Sequence, residues 1–143
     1  LARSDELGGA QGPYALQAAI AACHARAATP EATDWARIAA LYAALARVVP
    51  SPVVELNRAV ALAMAEGPAA GLVIVDTLTL EPALKGYHLL PSVRGDLLAK
   101  LGRFAEASVE LERAAALTRN VRERALLSER AAVCARAAAS SGG

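Results

Sequence analysis

Few side chains in this sequence combine the type and the spacing that a catalytic or metal site needs. His24 and His88 are the two histidines, and neither has a second histidine, cysteine or carboxylate at metal-ligand spacing. No serine lies in a Gly-x-Ser-x-Gly context, and the glycines at positions 8, 9 and 12 do not follow a strand as those of a phosphate-binding loop would. The sequence therefore predicts no catalytic residue, no cofactor and no metal, and a protein that is not an enzyme.

The polar residues that stand out lie in a segment that is otherwise apolar. Glu55, Asn57 and Arg58 fall within one turn of a predicted helix rich in Ala, Val and Leu. Two interpretations stay open. Either Arg58 pairs with a nearby carboxylate while Asn57 satisfies a loop carbonyl, or these groups form a surface that faces a partner. Gln17 and His24, two turns apart on one face of an earlier helix, could join that surface.

A later pair of charged residues, Arg94 and Asp96, either belongs to the same kind of surface or is simply solvated. The predicted partner contacts are Gln17, His24, Asn57, Arg58 and Arg94. Direct contact with nucleic acid is not expected, because 15 basic and 14 acidic residues give a formal net charge of only +1.

The composition favours helices packed on helices. Hydrophobic residues make up 55% of the chain but aromatic residues only 3%, and alanine has the highest intrinsic helix propensity. Cys23 and Cys134 each lie in an apolar helical pattern, which predicts buried free thiols. No apolar run reaches the roughly 18 to 20 residues of a membrane span, and the start does not read as a signal peptide. We expect a cytoplasmic protein.

Periodicity and capping signals predict about seven helices joined by short turns. Their predicted ranges are 13–28, 35–48, 52–66, 69–78, 87–101, 104–117 and 121–138, with 79–86 as a loop or a distorted turn. Asp34, Ser51 and Asn120 are the predicted N-caps. Pro91 requires the fifth helix to start near Leu90, with the preceding residues extended. The predicted inward face of the third helix is Val53, Leu56, Ala59, Val60, Ala63 and Met64.

An internal repeat signal is clearest between residues 87 and 118. The small and large positions there match a tetratricopeptide repeat. Gly95 and Ala107 are expected where two antiparallel helices cross closely, and Gly102 at the reversal between them. Looser matches occur at 35–42 and, as a degenerate unit, at 53–78. The sequence thus predicts an all-α fold of antiparallel hairpins in a short right-handed tetratricopeptide-like array over residues 12–138, with an irregular helical bundle as the alternative.

The two ends of the chain are expected to lie outside this array. Leu1, Ala2 and Arg3 read as the last turn of a helix whose beginning is missing, so residues 1–11 are expected to be the end of a preceding helix and a loop in a longer protein. Residues 139–143 are expected to form a disordered tail.

Two longer blocks carry a resemblance to a known family, GPYALQAAIAA at 12–22 and SPVVELNRAVA at 51–61. The chain resembles the C-terminal region of extracytoplasmic-function RNA polymerase sigma factors that carry a tetratricopeptide-like domain after their two promoter-binding sigma regions. GYHLLP at 86–91 and RGDLL at 94–98 continue the likeness, which runs from Gly12 to about Arg136.

The resemblance implies a parent protein that directs RNA polymerase to promoters, with this domain regulating or supporting transcription initiation through protein contacts. The implied partners are the sigma regions of its own chain, RNA polymerase or a regulatory protein, with no nucleic acid or membrane contact. Two other functions stay open. A concave groove lined by polar groups would favour a peptide-binding scaffold for an unrelated partner, whereas a closed apolar cavity with a few polar groups would favour a small-molecule sensor.

Overall fold

The computed structural model describes residues 12–27 and 32–141 of the chain. Within these ranges it contains seven α-helices and no strand, which confirms the predicted all-α fold. The helices are α1 Pro13–Arg26, α2 Trp35–Val48, α3 Pro52–Glu66, α4 Pro68–Leu78, α5 Leu89–Lys100, α6 Phe104–Leu117 and α7 Val121–Ser141. A 3-10 turn, Pro82–Leu84, lies between α4 and α5.

The three predicted N-caps are confirmed by side-chain hydrogen bonds to backbone N–H groups of the first turn. Asp34 Oδ1 accepts from the N–H of Arg37 at 3.1 Å. Ser51 Oγ accepts from the N–H of Val53 at 3.2 Å, and Asn120 Oδ1 accepts from the third residue of α7 at 2.9 Å. These local signals predicted the starts of α2, α3 and α7 correctly.

Two helix bounds differ from the prediction by one or two residues. Helix α1 ends at Arg26 because the backbone of Ala27 is extended, with φ -74° and ψ 121°; the predicted end at Ala28 lies outside the described residues. Helix α4 begins one residue early, at Pro68, since proline is well suited to the first turn of a helix.

The start of α5 also corrects the prediction. The helix begins at Leu89, and His88 before it is helical (φ -63°, ψ -24°) instead of extended. Pro91 is tolerated because it is the third residue of the helix, where a backbone N–H has no partner within the helix. The connection before it is a folded turn, because the backbone N–H of Leu84 donates to the carbonyl oxygen of Glu81 and that of Lys85 to the carbonyl oxygen of Pro82, both at 3.1 Å. Leu84 is buried in this turn.

The last helix is longer than predicted. Helix α7 continues to Ser141, so the prediction of a disordered tail is wrong for residues 139–141. Alanine at positions 135, 137, 138 and 139 explains the extension, because alanine favours helix more than any other residue. The predictions for residues 1–11, 142 and 143 concern residues outside those described.

Each helix packs mainly on the helix before it and the helix after it. Beyond these neighbours, α3 has a few contacts with α5 and with the 3-10 turn. The connections are short, with the single residue Gly67 between α3 and α4. Short connections between helices in contact reverse the chain, so the helices form successive hairpins. This nearest-neighbour packing is typical of a hairpin array and not of an irregular bundle. The right-handed sense of the array stays a prediction.

The buried side chains form two clusters. The amino-terminal core consists of Leu16, Ile20, Cys23, Ile38, Ala39, Leu45, Val54 and Ala61. The carboxyl-terminal core consists of Leu56, Ala59, Ala63, Leu72, Val75, Leu78, Leu84, Leu90, Leu97, Leu98, Ala107, Leu111, Ala114, Ala115, Leu127, Ala131 and Cys134. Both cysteines are buried and unpaired, as predicted.

Helix α3 contributes to both cores because it lies between α2 and α4. Its Leu56, Ala59 and Ala63 are buried as predicted. The prediction is wrong for Val53 and Met64, whose side chains are 40% and 48% exposed. Val54 and Ala61 are buried in their place, since a helix between two neighbours buries two faces.

Two glycines allow close helix crossings. A Cβ built on Gly95 would lie 2.7 Å from Leu111 Cγ and 3.4 Å from the carbonyl oxygen of Ala107, which confirms the predicted crossing of α5 and α6. A Cβ on Gly71 would lie 2.6 Å from the carbonyl oxygen of Ala59. The α3–α4 hairpin, predicted as a degenerate unit, therefore has an equally close crossing.

The reversal between α5 and α6 is also as predicted, because Gly102 has a φ of 80°, which favours glycine. Within the residues described, no helix is both long enough and apolar enough to cross a membrane.

Candidate functional site

A groove of about 480 Å³ opens beside the connection between α4 and α5. We call it the α4–α6 groove. Its volume lies within the range of roughly 300 to 1,000 Å³ that is common for binding pockets. Its lining residues are Thr79, Leu80, Glu81, Pro82, Leu84, Lys85, Gly86 and Tyr87 from the connection, Leu90 and Pro91 from the first turn of α5, and Glu110, Arg113 and Leu117 from α6.

The apolar part of the groove has a buried and an exposed portion. Leu84, Leu90 and Pro91 are buried, and Leu84 and Leu90 belong to the carboxyl-terminal core. Leu80 is 85% exposed and Leu117 37% exposed. The groove is thus an open apolar surface against which an apolar side chain of another molecule could be buried.

A buried carboxylate lies in one wall of the groove. The side chain of Glu110 is only 7% exposed, and its Oε1 lies 3.4 Å from Arg94 Nη1 and 3.4 Å from Arg113 Nη1. Arg94 Nε also donates to Asp76 Oδ1 at 2.9 Å. A buried carboxylate needs such cationic partners to offset its lost hydration. Through Arg94 this network joins α4, α5 and α6, and so fixes the shape of the groove.

A second polar cluster ties the start of α5 to the turn before α7. His88 Nε2 lies 3.0 Å from Glu123 Oε1, and the hydroxyl of Thr118 donates to the same oxygen at 2.5 Å. The Thr118 hydrogen bond, with a smaller contribution from His88, lowers the pKa of the Glu123 carboxyl below its usual value. Arg124 Nη2 donates to the carbonyl oxygen of Thr118 at 2.9 Å. Through His88 these contacts tie the residue before α5 to the first turn of α7.

The predicted partner contacts on α1 and α3 do not form one cluster. Gln17 and His24 are exposed on α1, and the ring of His24 meets that of Trp35 edge-on with 5.4 Å between centroids. Among the described residues, no hydrogen bond or ion pair joins either of them to Asn57 or Arg58.

The structure tests the interpretation that Arg58 and Asn57 in α3 make contacts within this chain. Arg58 Nε donates to Glu55 Oε2 at 2.7 Å, so the expected pairing of Arg58 with a nearby carboxylate is confirmed. Asn57 is exposed, and within the described part of the chain its side chain makes no hydrogen bond, so the expectation that it satisfies a loop carbonyl is wrong.

Arg94 and Asp96 are not simply solvated. Arg94 holds the Asp76–Glu110 network described above, and Asp96 forms an ion pair with Arg130 of α7. Arg94 is the one predicted partner contact that lies next to the groove, where it touches the buried lining residue Glu110. Its role as a contact for a partner stays a prediction.

Sequence reasoning missed the lining residues Leu80, Lys85, Glu110, Arg113 and Leu117. Glu110 carried a signal, because it stands beside the apolar positions Ala107, Leu111 and Ala114 on the buried face of α6. A charge at such a position indicates a buried ion pair. In residues 12–27 and 32–141, no three His, Cys, Asp or Glu side chains are grouped so that they could hold a metal ion.

Comparison with known proteins finds few relatives. No protein-family model matches the chain, and no solved structure matches it. A protein of Rhizobium meliloti (strain 1021), described as uncharacterized, is 53% identical over 116 residues, which cover 81% of this chain. The chain matches 27% of the length of that relative, so the aligned region is one segment of a much longer protein.

Proposed function

We propose that this chain is the tetratricopeptide-like C-terminal domain of an extracytoplasmic-function RNA polymerase sigma factor, and that it acts by binding protein and not by catalysis. One observation carries the proposal. The GYHLLP block at 86–91, part of the resemblance to that family, supplies four lining residues of the α4–α6 groove: Gly86, Tyr87, Leu90 and Pro91.

The RGDLL block at 94–98 follows the lining residues Leu90 and Pro91 on α5 and holds this helix in place. Arg94 pairs with Asp76 and Glu110, Gly95 allows the close crossing of α5 and α6, and Asp96 pairs with Arg130. Leu97 and Leu98 are buried in the carboxyl-terminal core. The first block thus lines a surface on a helix that the second block fixes, and a preorganised surface binds a partner with less loss of conformational entropy.

The proposed partners are the sigma regions of the parent protein, RNA polymerase itself or a regulatory protein. The aligned segment makes up 27% of the length of the Rhizobium meliloti relative, which supports a domain that works within a larger protein. The formal net charge of +1 supports contacts with protein over contacts with a phosphate backbone.

The open groove also supports a second candidate function, a peptide-binding scaffold for a partner unrelated to transcription. A small-molecule sensor has less support, because a lining that includes Leu80 at 85% exposure does not enclose a ligand.

Promoter-directed transcription in vitro tests the proposal, with core RNA polymerase and the sigma factor that carries this chain. We expect deletion of residues 12–138 to change the transcript yield, and Leu80→Asp in the groove to reproduce part of that change. Val73→Asp is the matched control, because Val73 is 67% exposed on α4 but does not line the groove. Normal transcription by the deletion protein under every condition would overturn the proposal. If Leu80→Asp leaves the transcript yield unchanged but abolishes co-purification of another protein, the peptide-binding scaffold for a partner unrelated to transcription is favoured.

A further inference from the structure

We infer that the α4–α6 groove binds a segment of a protein partner in which an apolar side chain is flanked by acidic residues. The inference rests on the proposed function and names the chemistry of the partner at the proposed site. Two independent properties of the lining carry it. The lining has an exposed apolar surface, and its cationic side chains are more accessible to a partner than its buried carboxylate.

The apolar property follows from how the lining residues are held. Leu84, Leu90 and Pro91 are buried, the two leucines in the carboxyl-terminal core, while Leu80 in the same lining is 85% exposed. A single exposed leucine is ordinary on a protein surface. An exposed leucine at the edge of a groove whose other apolar walls are fixed forms a concave apolar surface, and covering that surface with a side chain is favourable.

Each carboxylate of the lining accepts at least one contact from a donor of this chain, and one of the two, Glu110, is buried. Glu81 Oε1 accepts from the backbone N–H of Ala83 at 3.3 Å. Glu110 lies between Arg94 and Arg113 with its side chain 7% exposed. A basic partner would have to reach a buried carboxylate and displace an arginine that neutralises it, which is unfavourable.

The cations of the lining remain accessible. Lys85 is exposed, and within residues 12–27 and 32–141 its side chain forms no hydrogen bond or ion pair. Arg113 has one long contact, 3.4 Å to Glu110, and its side chain is 62% exposed. Lys85 can meet an acidic group without giving up any contact, and Arg113 can do so through the guanidinium donors other than the Nη1 that faces Glu110. The groove therefore complements a segment that is apolar at its centre and negative beside it.

The test uses the 143-residue chain and two synthetic peptides with the same leucine positions, one with glutamates beside the leucines and one with lysines. Fluorescence anisotropy of the labelled peptides measures binding at low and at high salt. We expect the glutamate peptide to bind at least about tenfold more tightly than the lysine peptide. Its binding should weaken as salt rises, because the rim charges are exposed.

The two lysines of the chain provide matched variants. Lys85→Glu should weaken binding of the glutamate peptide about threefold to tenfold, because an attractive charge at an exposed position becomes a repulsive one. Lys100→Glu makes the same charge change on an exposed lysine outside the groove and should leave binding unaltered. Leu80→Ala should also weaken binding, while Val73→Ala should not.

Equal binding of both peptides, binding of neither, or equal effects of Lys85→Glu and Lys100→Glu would each overturn the inference. Failure here is distinguishable from failure of the proposed function. If Leu80→Asp changes transcription while the glutamate peptide does not bind, only the partner chemistry is wrong. If the glutamate peptide binds but deletion of residues 12–138 leaves transcription unchanged, only the proposed function is wrong.

Discussion

Helices α1 to α3 and helices α4 to α7 are both packed hairpins, but they are held together differently. Around the amino-terminal core, no side-chain hydrogen bond or ion pair joins one helix to another within residues 12–27 and 32–66. Beyond residue 67, polar contacts cross between helices at several points. They are Arg94 with Asp76 and Glu110, Asp96 with Arg130, His88 with Glu123, and Ser108 with the carbonyl oxygen of Ala131.

This difference matters because apolar packing constrains mainly volume, whereas hydrogen bonds and ion pairs constrain direction as well. The helices of the carboxyl-terminal region are therefore held at defined positions relative to one another. The α4–α6 groove lies in that region, and a docking surface needs such preorganisation. The amino-terminal region is expected to open locally at lower free energy, because fewer kinds of contact oppose its opening.

Truncation of one side chain in each core should have the largest effect. Ile38 and Leu98 are both 0% exposed, so Ile38→Ala and Leu98→Ala should each lower the free energy of unfolding by about 3 kcal/mol. Hydrogen exchange should then separate the regions. Ile38→Ala should speed exchange in α1 and α2, and Leu98→Ala in α5 to α7. Equal acceleration along the whole chain in both variants would remove the distinction between the regions.

The close crossing at Gly71 should give the next largest effect. In Gly71→Ala the new Cβ would lie 2.6 Å from the carbonyl oxygen of Ala59, and a backbone atom cannot turn aside as a side chain can. We expect a loss of about 2 kcal/mol in the denaturant-derived free energy of unfolding. Gly12→Ala is the control, since a Cβ there meets no atom within 4 Å. Equal midpoints for the two variants would contradict this packing.

Loss of the inter-helix ion pair should have a smaller effect. Arg94→Ala leaves the buried Glu110 with only the long Arg113 contact, which should cost about 1 to 2 kcal/mol. Arg58→Ala removes a pair within one helix and should cost less than about 0.5 kcal/mol. If thermal unfolding shifts equally in both variants, the network at Arg94 does not distinguish the carboxyl-terminal region.

Acid should weaken the carboxyl-terminal region slightly. The carboxyls of Glu106 and Glu123 both lie there and have lowered pKa values, through hydrogen bonds from Arg103 and Thr118. A lowered folded-state pKa contributes stability above the ordinary glutamate pKa of about 4.3, and this contribution is lost as pH falls through the folded value. Glu123→Gln should therefore show a shallower loss of stability with acid. Glu129→Gln, on the exposed side of α7, should lose stability with acid as steeply as the unaltered chain. A shallower loss in Glu129→Gln than in Glu123→Gln would refute this.

The sequence predicted most of the helical structure because the relevant signals are local. Asp34, Ser51 and Asn120 cap their helices through residues two or three positions away. The two-sided burial of α3 was missed since Val54 and Val53 are equally apolar, and only the positions of α2 and α4 decide which one is covered.

The groove was also missed because it depends on contacts between elements that are distant in the sequence. Leu80, Leu90 and Leu117 line one groove because a folded turn brings the connection close to α6. No local pattern specifies that turn, because Pro82 is compatible with an open loop as well as with a 3-10 turn. Pattern reasoning identified Arg94 but not its partners Asp76 and Glu110, which lie 18 and 16 residues away along the chain.

The most direct test of docking in the α4–α6 groove is hydrogen exchange of the 143-residue chain, free and mixed with core RNA polymerase or with separately produced sigma regions. We predict slower exchange in residues 79–91 and 110–117 when the true partner is added, with residues 13–48 unchanged. Unaltered exchange at 79–91 with both partners, or slowing confined to α1 and α2, would contradict a docking site in the α4–α6 groove.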